Sequence, residues 1–338
     1  MIGFYSNIRA SDNSLFGAGV ARCLQPAIGL SQYGGQDCVI PDDIEVFDGL
    51  LGGKNKDGQE FIFDTVVHSC WMAEAKDLIL TARKKGQKVY ADIDDWYWGL
   101  RQSQMAFWNT HPKFSNANLK FFKENLIASD GIICSSKFLA TKMSEIHKNV
   151  FYCPNMIDDE NISWQRKKLG ELRVGWIGQT HTRANDLEYL NGIIQPFLKK
   201  HNLKFHHSGA LENTRPAYEI LGIEGTSSPT VEYRDYPILF NPIDILLIPL
   251  TDTPFNYAKS YIRQLEASAS LTPYIVSALP EQLEYKSGLK AKRPRDWIKY
   301  LEMLLDENFR TQLISENLKE VSKHNIKAKW NQWEFLCA

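Results

Sequence analysis

The sequence predicts an α/β protein with two domains, each built around a parallel sheet. Short apolar runs rich in β-branched residues alternate with amphipathic stretches along the chain, as they do in βαβ units. The length of 338 residues suits two domains of roughly 100–200 residues each. Residues 159–171 are polar and lysine-rich, and the pattern of strands and helices restarts after them. We therefore expect an N-terminal domain over 1–165 and a C-terminal domain over 166–324.

The predicted elements follow from hydrophobic period and from stop signals. In the first half we expect strands at 2–6, 37–41, 61–67, 129–136 and 150–158, a strand within 88–100, and helices after Gly19 and at 73–87, 116–128 and 136–147. In the second half we expect a strand, a loop and one helix within 172–201, strands at 203–209, 231–236, 243–250 and 273–277, and one or two helices within 296–324.

The composition limits the class of protein. Hydrophobic residues make up 43% and charged residues 23%, as in a soluble globular protein, and the net charge of −1 gives no global basic field for nucleic acid. The six cysteines form no CxxC pair, which argues against structural zinc and against a disulfide framework. No apolar run reaches the roughly 18 residues of a membrane span, and a strand already begins at Ile2. We expect no signal peptide and a cytoplasmic location.

The segment 252–277 is predicted to carry the main binding site. It follows the buried strand at 243–250, passes a turn, and enters a helix whose first turn is expected to hold Lys259 and Ser260. Ligands of open α/β sheets bind at the carboxyl ends of strands and at helix N-termini, where Lys and Ser can hold a phosphate. Glu266, two turns further on, can accept hydrogen bonds from sugar hydroxyls. The alternative is an ordinary βαβ unit with a solvated lysine.

Two other loops contain candidate anion-binding residues. The loop within 172–201 holds a glycine, a hydroxyl, an imidazole and a guanidinium at a predicted helix N-terminus, namely Gly178, Thr180, His181 and Arg183, with Asp186 expected in the first turn of the helix. Gly17 and Gly19 precede the first predicted helix and would let the backbone approach a phosphate or a sugar. A G-x-G pattern is a weak signal, and a plain tight turn is the favoured explanation.

Three carboxylates, Asp92, Asp94 and Asp95, follow the strand that starts at 88. Three interpretations stay open: a D-x-D site for Mg²⁺ or Mn²⁺, a general base with an orienting partner, or helix capping and loop solvation. No other cluster of Asp, Glu or His in the sequence complements a metal site here.

Aromatic and basic residues are concentrated in the next segment. Eight aromatics lie between 96 and 122: Trp96, Tyr97, Trp98, Phe107, Trp108, Phe114, Phe121 and Phe122. Residues 101–150 carry seven Lys and Arg against three Asp and Glu. Such a segment can stack bases and meet phosphates. The favoured alternative is that most of these aromatics pack in a core or line a cleft.

The ordered set of these motifs resembles the GT-B glycosyltransferases of the group 1, family-4-like class, and most closely a subset carried by tailed phages. The segments that carry the resemblance are YADIDDWYWGL (90–100), FWNTHPKFSNANL (107–119), the run at 129–140, PNMID (154–158), VGWIGQTHTRANDL (174–187) and PLTDTPFNYAKSYIRQLEASA (249–269). They cover most of 88–277 in the expected order, whereas the first 85 residues match poorly.

The resemblance implies a GT-B-like fold, with two Rossmann-like domains facing a cleft. It implies transfer of a sugar from a nucleotide-diphosphate sugar, a UDP-sugar such as UDP-glucose, without a tightly bound cofactor and without a required metal. Arg183 and Lys259 match the cations that neutralise the leaving diphosphate, and Glu266 matches the glutamate that holds the donor ribose. Asn256 and Ser260 would add donor contacts. Asp94 or Asp95 would face the acceptor.

The sequence departs from the family at two positions of the cleft. Many relatives carry a second Glu eight residues before the ribose-binding one, where this chain has Ala258. The acceptor-side glycine loop is also atypical, with only Gly17 and Gly19 to represent it. In this fold the last helix often returns to the N-terminal domain, and the tail 325–338 with Trp330 and Trp333 suits that role; a mobile amphipathic end is the alternative.

Several acceptors and functions remain open at the level of sequence. The phage-like character and the segment 96–150 indicate a 5-hydroxymethylpyrimidine in phage DNA, which would place the protein in the host cytoplasm. A surface polysaccharide or a virion protein is an equal alternative. From another class, the chain could be an inactive module that binds a sugar nucleotide. An NAD-dependent dehydrogenase would need a third glycine at position 22, which is Arg22.

Overall fold

Two parallel sheets of six strands each organise the protein. The computed structural model describes residues 1–6, 15, 17–55, 57–100, 112–164 and 171–337. The first sheet has the strand order β2-β1-β6-β7-β8-β9 and the second the order β12-β11-β10-β13-β14-β15. The strands are β1 (Ile2–Ser6), β2 (Cys38–Val39), β3 (Asp43–Phe47), β4 (Leu50–Lys54), β5 (Glu60–Ile62), β6 (Thr65–Ser69), β7 (Lys88–Ile93), β8 (Gly131–Cys134), β9 (Val150–Tyr152), β10 (Arg173–Ile177), β11 (Lys204–Ala210), β12 (Gly225–Pro229), β13 (Ile245–Ile248), β14 (Tyr274–Ser277) and β15 (Leu289–Ala291).

Helices cover both sheets and bury their central strands. The α-helices of the described residues are α1 (Gln25–Gln32), α2 (Lys76–Lys84), α3 (Asn116–Ala128), α4 (Lys137–Ser144), α5 (Thr180–Glu188), α6 (Gln195–Lys200), α7 (Ala217–Ile220), α8 (Pro254–Tyr257), α9 (Ile262–Ala269), α10 (Pro294–Met303), α11 (Glu307–Val321) and α12 (Ile326–Lys329). Every residue of β1, β6, β8, β13 and β14 is buried. This explains their continuous apolar runs, because a parallel sheet has helices on both faces.

The first domain contains an antiparallel ribbon that the sequence analysis missed. β3 pairs with β4 and β4 pairs with β5, all antiparallel. The single strand expected at 61–67 is wrong, because the chain leaves the ribbon after Ile62 and enters the parallel sheet at Thr65. Phe63 is buried at this corner, and the Asp64 carboxylate accepts a 2.6 Å hydrogen bond from the terminal ammonium of Met1. A polar residue inside an apolar run here marks a change of sheet.

Two expectations in the second domain are also wrong. Residues 231–236 form no strand; a 3-10 helix covers Tyr233–Phe240 with Pro237 inside it, and the edge strand is β12. That strand is poor in apolar residues, and His206 of β11 bonds to its hydroxyls at Thr226 and Ser228. The helix expected within 172–201 is two helices, α5 and α6. Gly192, at φ +75°, lies between them, and a proline near its start opens the second one.

The C-terminal segment packs against the first sheet. Trp333 is fully buried, and its ring centroid lies 6.2 Å from that of Phe4 in β1. Ile326 and Leu336 belong to the same hydrophobic cluster. Ile157 and Asn325 form a parallel bridge where the chain returns. The domain boundary placed at residue 165 stays a prediction, because 165–170 lie outside the described residues.

None of the described helices is both long enough and apolar enough to cross a bilayer. All six cysteines are free thiols.

Candidate active site

A cleft of about 590 Å³ opens between the two sheets, at the carboxyl ends of their strands. This is where parallel α/β sheets bind ligands, because the loops after neighbouring strands meet there. Nine of the residues predicted from the sequence line it: Gly17, Asp94, Asp95, Gly178, His181, Arg183, Lys259, Ser260 and Glu266. The fold therefore brings together residues that are up to 249 positions apart in the chain.

Three other predicted residues, Gly19, Thr180 and Asn256, are not among those that line the cleft. Gly19 precedes the π-helical turn Val20–Leu24 that leads into α1. Thr180 and Asn256 are buried, with 3% and 2% of their surface exposed. Their predicted contacts with a donor stay predictions.

Lys259 lines the cleft. The expectation that Lys259 and Ser260 occupy the first turn of a helix is wrong, because they lie in the link between α8 and α9. The Lys259 ammonium is 2.5 Å from the Asp95 carboxylate and 4.3 Å from the centroid of the Phe255 ring. Only 15% of the lysine side chain and 18% of the aspartate side chain are exposed.

Burial and neighbouring charges shift both members of this pair. Burial raises the pKa of Asp95 above its ordinary value, and the like charge of Asp94 raises it further, while Lys259 and Arg183 oppose the rise. Burial lowers the pKa of Lys259, and the positive charge of Arg183 lowers it further against the opposing pull of Asp95. The site thus concentrates opposite charges where water is scarce.

Arg183 contacts the same Phe255 ring from α5, the helix that follows β10. Its guanidinium carbon lies 5.8 Å from the Phe255 centroid, close enough for a cation–π contact. Its Nη1 is 3.5 Å from an oxygen of Asp186 and 3.5 Å from an oxygen of Asn256. The helix is irregular at this residue, with φ −135° and ψ 15°, which turns the side chain toward the cleft.

Asp186 joins the segment after β10 to the segment after β13. It lies in the second turn of α5, not in the first as expected. Its Oδ1 accepts hydrogen bonds from the backbone N–H and the hydroxyl of Thr251, both at 2.8 Å, and from the Asn256 amide at 2.7 Å. The loop after β10 and the loop after β13 are therefore held at a fixed distance, and so are the cations that they carry.

Glu266 is held by a cation of its own. Arg263, one turn earlier in α9, donates a 2.7 Å hydrogen bond to its Oε2 and another to the hydroxyl of Tyr236. Burial raises the pKa of Glu266, and Arg263 opposes that rise. The carboxylate lines the cleft and keeps its second oxygen for further donors.

The three carboxylates after β7 have separate surroundings. Asp92 is fully buried and forms an ion pair with Arg22, at 2.7 Å between Nη2 and Oδ2. Asp94 accepts a 2.6 Å hydrogen bond from the hydroxyl of Tyr97. Asp95 pairs with Lys259. Among the residues that the structure describes, no group of three or more His, Cys, Asp and Glu side chains is placed to hold a metal ion.

A chain of hydrogen bonds links Asp92 and Arg22 to the segment that carries Lys259 and Ser260. Arg22 also donates to Asn155 at 2.9 Å, and Asn155 donates to the Ser260 hydroxyl at 2.8 Å. Gln282 donates to the carbonyl of Lys259 at 2.6 Å. The link that carries Lys259 and Ser260 is thus held from both domains.

The aromatic segment serves largely to build the first domain. Five of its residues, Trp96, Tyr97, Trp98, Phe114 and Phe122, belong to one hydrophobic cluster under β7 and α3. Phe107 and Trp108 lie outside the described residues. The packing agrees with the interpretation favoured from the sequence, in which most of these rings fill a core or line a cleft.

Sequence reasoning missed Phe255, Arg263 and the role of Asp186. The i,i+3 spacing of Arg263 and Glu266 was a usable signal for an ion pair on one helix face. Phe255 gave no such signal, because an aromatic residue after a proline is most often core. The ties of Asp186 join residues 65 and 70 positions away, so they depend on the fold alone.

Neither a comparison with protein-family models nor one with curated sequences gives a match. Solved structures do match. Anabaena HepE in complex with UDP and glucose gives a TM-score of 0.59 at 11% identity, over 100% of this chain and 99% of that one. The lipopolysaccharide outer core galactosyltransferase WaaB gives 0.56 at 11%, over 99% and 98%. S. aureus TarM gives 0.56 at 12%, and the match covers 87% of this chain and 63% of TarM.

These similarities are at the level of fold. Both parallel sheets, their helices and the cleft between them correspond to structures of the GT-B class. The predicted fold class is confirmed: the chain has a GT-B-like fold, with two Rossmann-like domains that face a cleft.

Proposed function

We propose that this protein is a glycosyltransferase that moves a sugar from a UDP-sugar to an acceptor hydroxyl. The observation that carries the proposal is the convergence of Lys259 and Arg183 on the Phe255 ring, with Glu266 lining the same cleft. Two cations side by side suit a diphosphate, and a buried carboxylate suits vicinal hydroxyls of a ribose. Two of the similar structures, HepE and TarM, were solved with UDP.

In the proposed reaction the bond between the anomeric carbon and the diphosphate oxygen breaks, and a bond from that carbon to the acceptor oxygen forms. Negative charge develops on the leaving diphosphate, where Lys259 and Arg183 stabilise it more in the transition state than in the ground state. The acceptor hydroxyl loses its proton. We propose that Asp94 or Asp95, which line the cleft on its first-domain side, receives it.

Donor contacts are proposed for the second domain. Glu266 would bind the ribose, and Ser260, whose hydroxyl already accepts from Asn155, would donate to a phosphate oxygen. Gly178 and His181, which line the cleft, would face the donor near the start of α5, and a donor contact of the buried Thr180 stays a prediction. Ala258 is buried and carries no polar group, so recognition of the transferred sugar, for which UDP-glucose is the first candidate, must use other residues.

The protein's own cations take the place that a divalent ion holds in other sugar transferases, so we propose that no metal is required. Asp92 is unsuited as a ligand, because Arg22 and Ser69 already contact its oxygens. Transfer should then persist in excess EDTA, while a loss that added Mg²⁺ or Mn²⁺ restores would contradict this part.

For the acceptor we propose a hydroxymethylpyrimidine in DNA as the first to test, on the grounds of the excess of Lys and Arg over 101–150. A DNA acceptor predicts duplex binding that weakens steeply with salt. A surface polysaccharide or a virion protein stays the alternative, and it predicts no duplex binding even at low salt.

The experiment combines thermal shift with mass spectrometry. UDP-, GDP- and ADP-sugars are tested for stabilisation, and the best binder is incubated with hydroxymethylated DNA. Stabilisation by a UDP-sugar with a hexose-sized mass gain on the base supports donor and acceptor together. Stabilisation without that gain moves the search to polysaccharides and proteins. No stabilisation by any nucleotide sugar contradicts the proposed function, and binding of UDP-sugar without hydrolysis or transfer to any acceptor indicates an inactive binding module.

A further inference from the structure

Four of the cations along the cleft are each paired with a carboxylate. Three of these pairs lie within one domain: Arg22 with Asp92 at 2.7 Å, Arg183 with Asp186 at 3.5 Å, and Arg263 with Glu266 at 2.7 Å. The fourth, Lys259 with Asp95 at 2.5 Å, joins the loop after β7 in the first domain to the link between α8 and α9 in the second.

The carboxylate of the fourth pair differs from Asp186 in the groups that contact it. Asp186 keeps three hydrogen bonds from Thr251 and Asn256 apart from its contact with Arg183. Asp95, in contrast, has Lys259 as the opposite charge that contacts its carboxylate, with Asp94 beside it as a like charge that disfavours its ionised form. The strongest attraction on Asp95 is therefore the cation that the proposed reaction needs.

Two contacts already cover most of the Lys259 ammonium. One side of its ammonium faces the Phe255 ring at 4.3 Å, and another contacts Asp95, so that 15% of the side chain is exposed. A diphosphate oxygen that binds Lys259 would come close to the Asp95 carboxylate. At such a separation in a partly buried site, two negative charges repel each other strongly.

We propose that Asp95 and the donor diphosphate bind Lys259 in exchange for each other. This inference rests on the proposed function of the cleft. Asp95 holds Lys259 in position across the cleft, and the incoming diphosphate takes its place. The displaced carboxylate is then free on the first-domain side of the cleft, where the acceptor hydroxyl would lie. Donor binding would thereby make Asp95 available to the acceptor.

Asp94 provides a matched comparison in the same turn. It carries the same charge and lines the same cleft, but its carboxylate is held inside its own domain by the Tyr97 hydroxyl at 2.6 Å. If the overall negative charge of the cleft governed UDP binding, removing the charge of Asp94 or of Asp95 would change the Kd of UDP equally. Exchange at Lys259 predicts that only Asp95 competes with the donor.

The test measures the Kd of UDP by isothermal titration calorimetry for the wild type, Asp95→Asn, Asp94→Asn, Lys259→Ala and the double variant Asp95→Asn/Lys259→Ala. Thermal unfolding checks that each variant is folded. We expect Asp95→Asn to lower the Kd about tenfold, and Asp94→Asn to change it less than about threefold. In the Lys259→Ala background the gain from Asp95→Asn should shrink to less than about threefold, because only the direct repulsion between carboxylate and diphosphate remains and the competition for the lysine is gone.

The outcomes separate the exchange from the function on which it rests. A Kd that is unchanged or higher in Asp95→Asn, with UDP still bound by the wild type, would overturn the exchange alone. Equal gains from Asp95→Asn in both backgrounds would also overturn it, since the effect would not pass through Lys259. If neither the wild type nor Asp95→Asn binds UDP, the proposed function falls and the exchange falls with it.

Discussion

The Phe255 ring contacts two cations that repel each other. The Lys259 ammonium and the Arg183 guanidinium both lie within 6 Å of its ring, and their mutual repulsion contributes to the lowered pKa of Lys259. A ring face attracts both cations without adding a negative charge. The pair is thereby arranged in advance for a ligand with two negative groups, and the catalytic contribution of each cation can be tested alone.

Lys259→Ala should lower kcat/KM for transfer by about 10²- to 10³-fold, the usual loss when one group that stabilises transition-state charge is removed. The fold should survive, because the link that carries Lys259 is also held by Gln282 and Asn155. Steady-state kinetics with the identified donor is the measurement. Lys292→Ala, an exposed lysine of the same domain, is the control. Full activity of Lys259→Ala would remove this residue from the mechanism.

Glu266→Gln should weaken donor binding more than it slows the chemical step. Hydrogen bonds to a charged acceptor contribute about 1.5–3 kcal/mol, so the Kd of UDP should rise roughly 10- to 100-fold. Calorimetry with uridine and with uracil separates the ribose contribution from that of the base. The exposed Glu302, replaced by Gln, serves as the control. An unchanged UDP affinity would show that Glu266 only anchors Arg263.

At the scale of elements, the site depends on two loops that follow neighbouring strands. β10 and β13 pair in parallel, so the loops after them emerge side by side. Asp186 then fixes one loop to the other through Thr251 and Asn256. The elements alone would bring Arg183 and Lys259 near each other, while this buried carboxylate fixes their separation.

Asp186→Ala should therefore reduce both stability and activity. The Thr251 N–H and the Asn256 amide would lose their acceptor, at a cost of about 1–3 kcal/mol for buried groups without a partner. Urea unfolding measures the free energy of unfolding, and kinetics on the folded fraction measures transfer. Glu188→Ala, an exposed carboxylate of the same helix, is the comparison. A loss of stability with normal transfer would limit Asp186 to a structural part.

At the scale of the whole molecule, a second contact joins the domains away from the cleft. Glu281 of the second domain is 2% exposed, and its carboxylate accepts from the backbone N–H of Lys137, at the start of α4, at 2.9 Å and from the Tyr152 hydroxyl at 3.3 Å. Burial raises its pKa from an ordinary value of 4.5 to about 7. The domains are thus joined by a carboxyl group that titrates near neutral pH.

This shift makes stability depend on pH. Because the pKa is raised in the folded state, the contribution of Glu281 is fully present below about 4.5 and is lost as pH rises through about 7. The loss amounts to roughly 3 kcal/mol.

Glu281→Gln keeps the shape of the side chain but cannot ionise. As the pH rises from 5 to 8, its free energy of unfolding, measured with urea, should therefore fall less than that of the wild type. Glu284→Gln, which removes a partly exposed pair with Lys137, should cost under about 1 kcal/mol. Parallel pH profiles for wild type and Glu281→Gln would contradict the shift.

The fold class and the location of the cleft could be predicted from the sequence, because apolar runs and helical periods are local and parallel strands place their following loops at one edge. Most of the candidate residues could be predicted for the same reason. The antiparallel ribbon was missed where Phe63 and Asp64 change sheet within one apolar run. The edge strand β12 was missed because it is poor in apolar residues, and His206 on the neighbouring strand satisfies the hydroxyls of Thr226 and Ser228. The 3-10 helix around Pro237 was mistaken for a strand at 231–236.

By itself, the sequence determined which chemical groups the protein has and the order in which its loops present them. Only the tertiary structure decided how those groups are paired. Asp95 and Lys259 are 164 residues apart in the sequence, and Arg22 and Asp92 are 70 apart. Each pair forms because the fold brings two distant segments of the chain together. The physical reason is the distance over which each signal acts. Helix and strand signals extend over a few residues of sequence, whereas charge pairing depends on distances in space. Those distances are fixed only when both sheets and the link between them have formed.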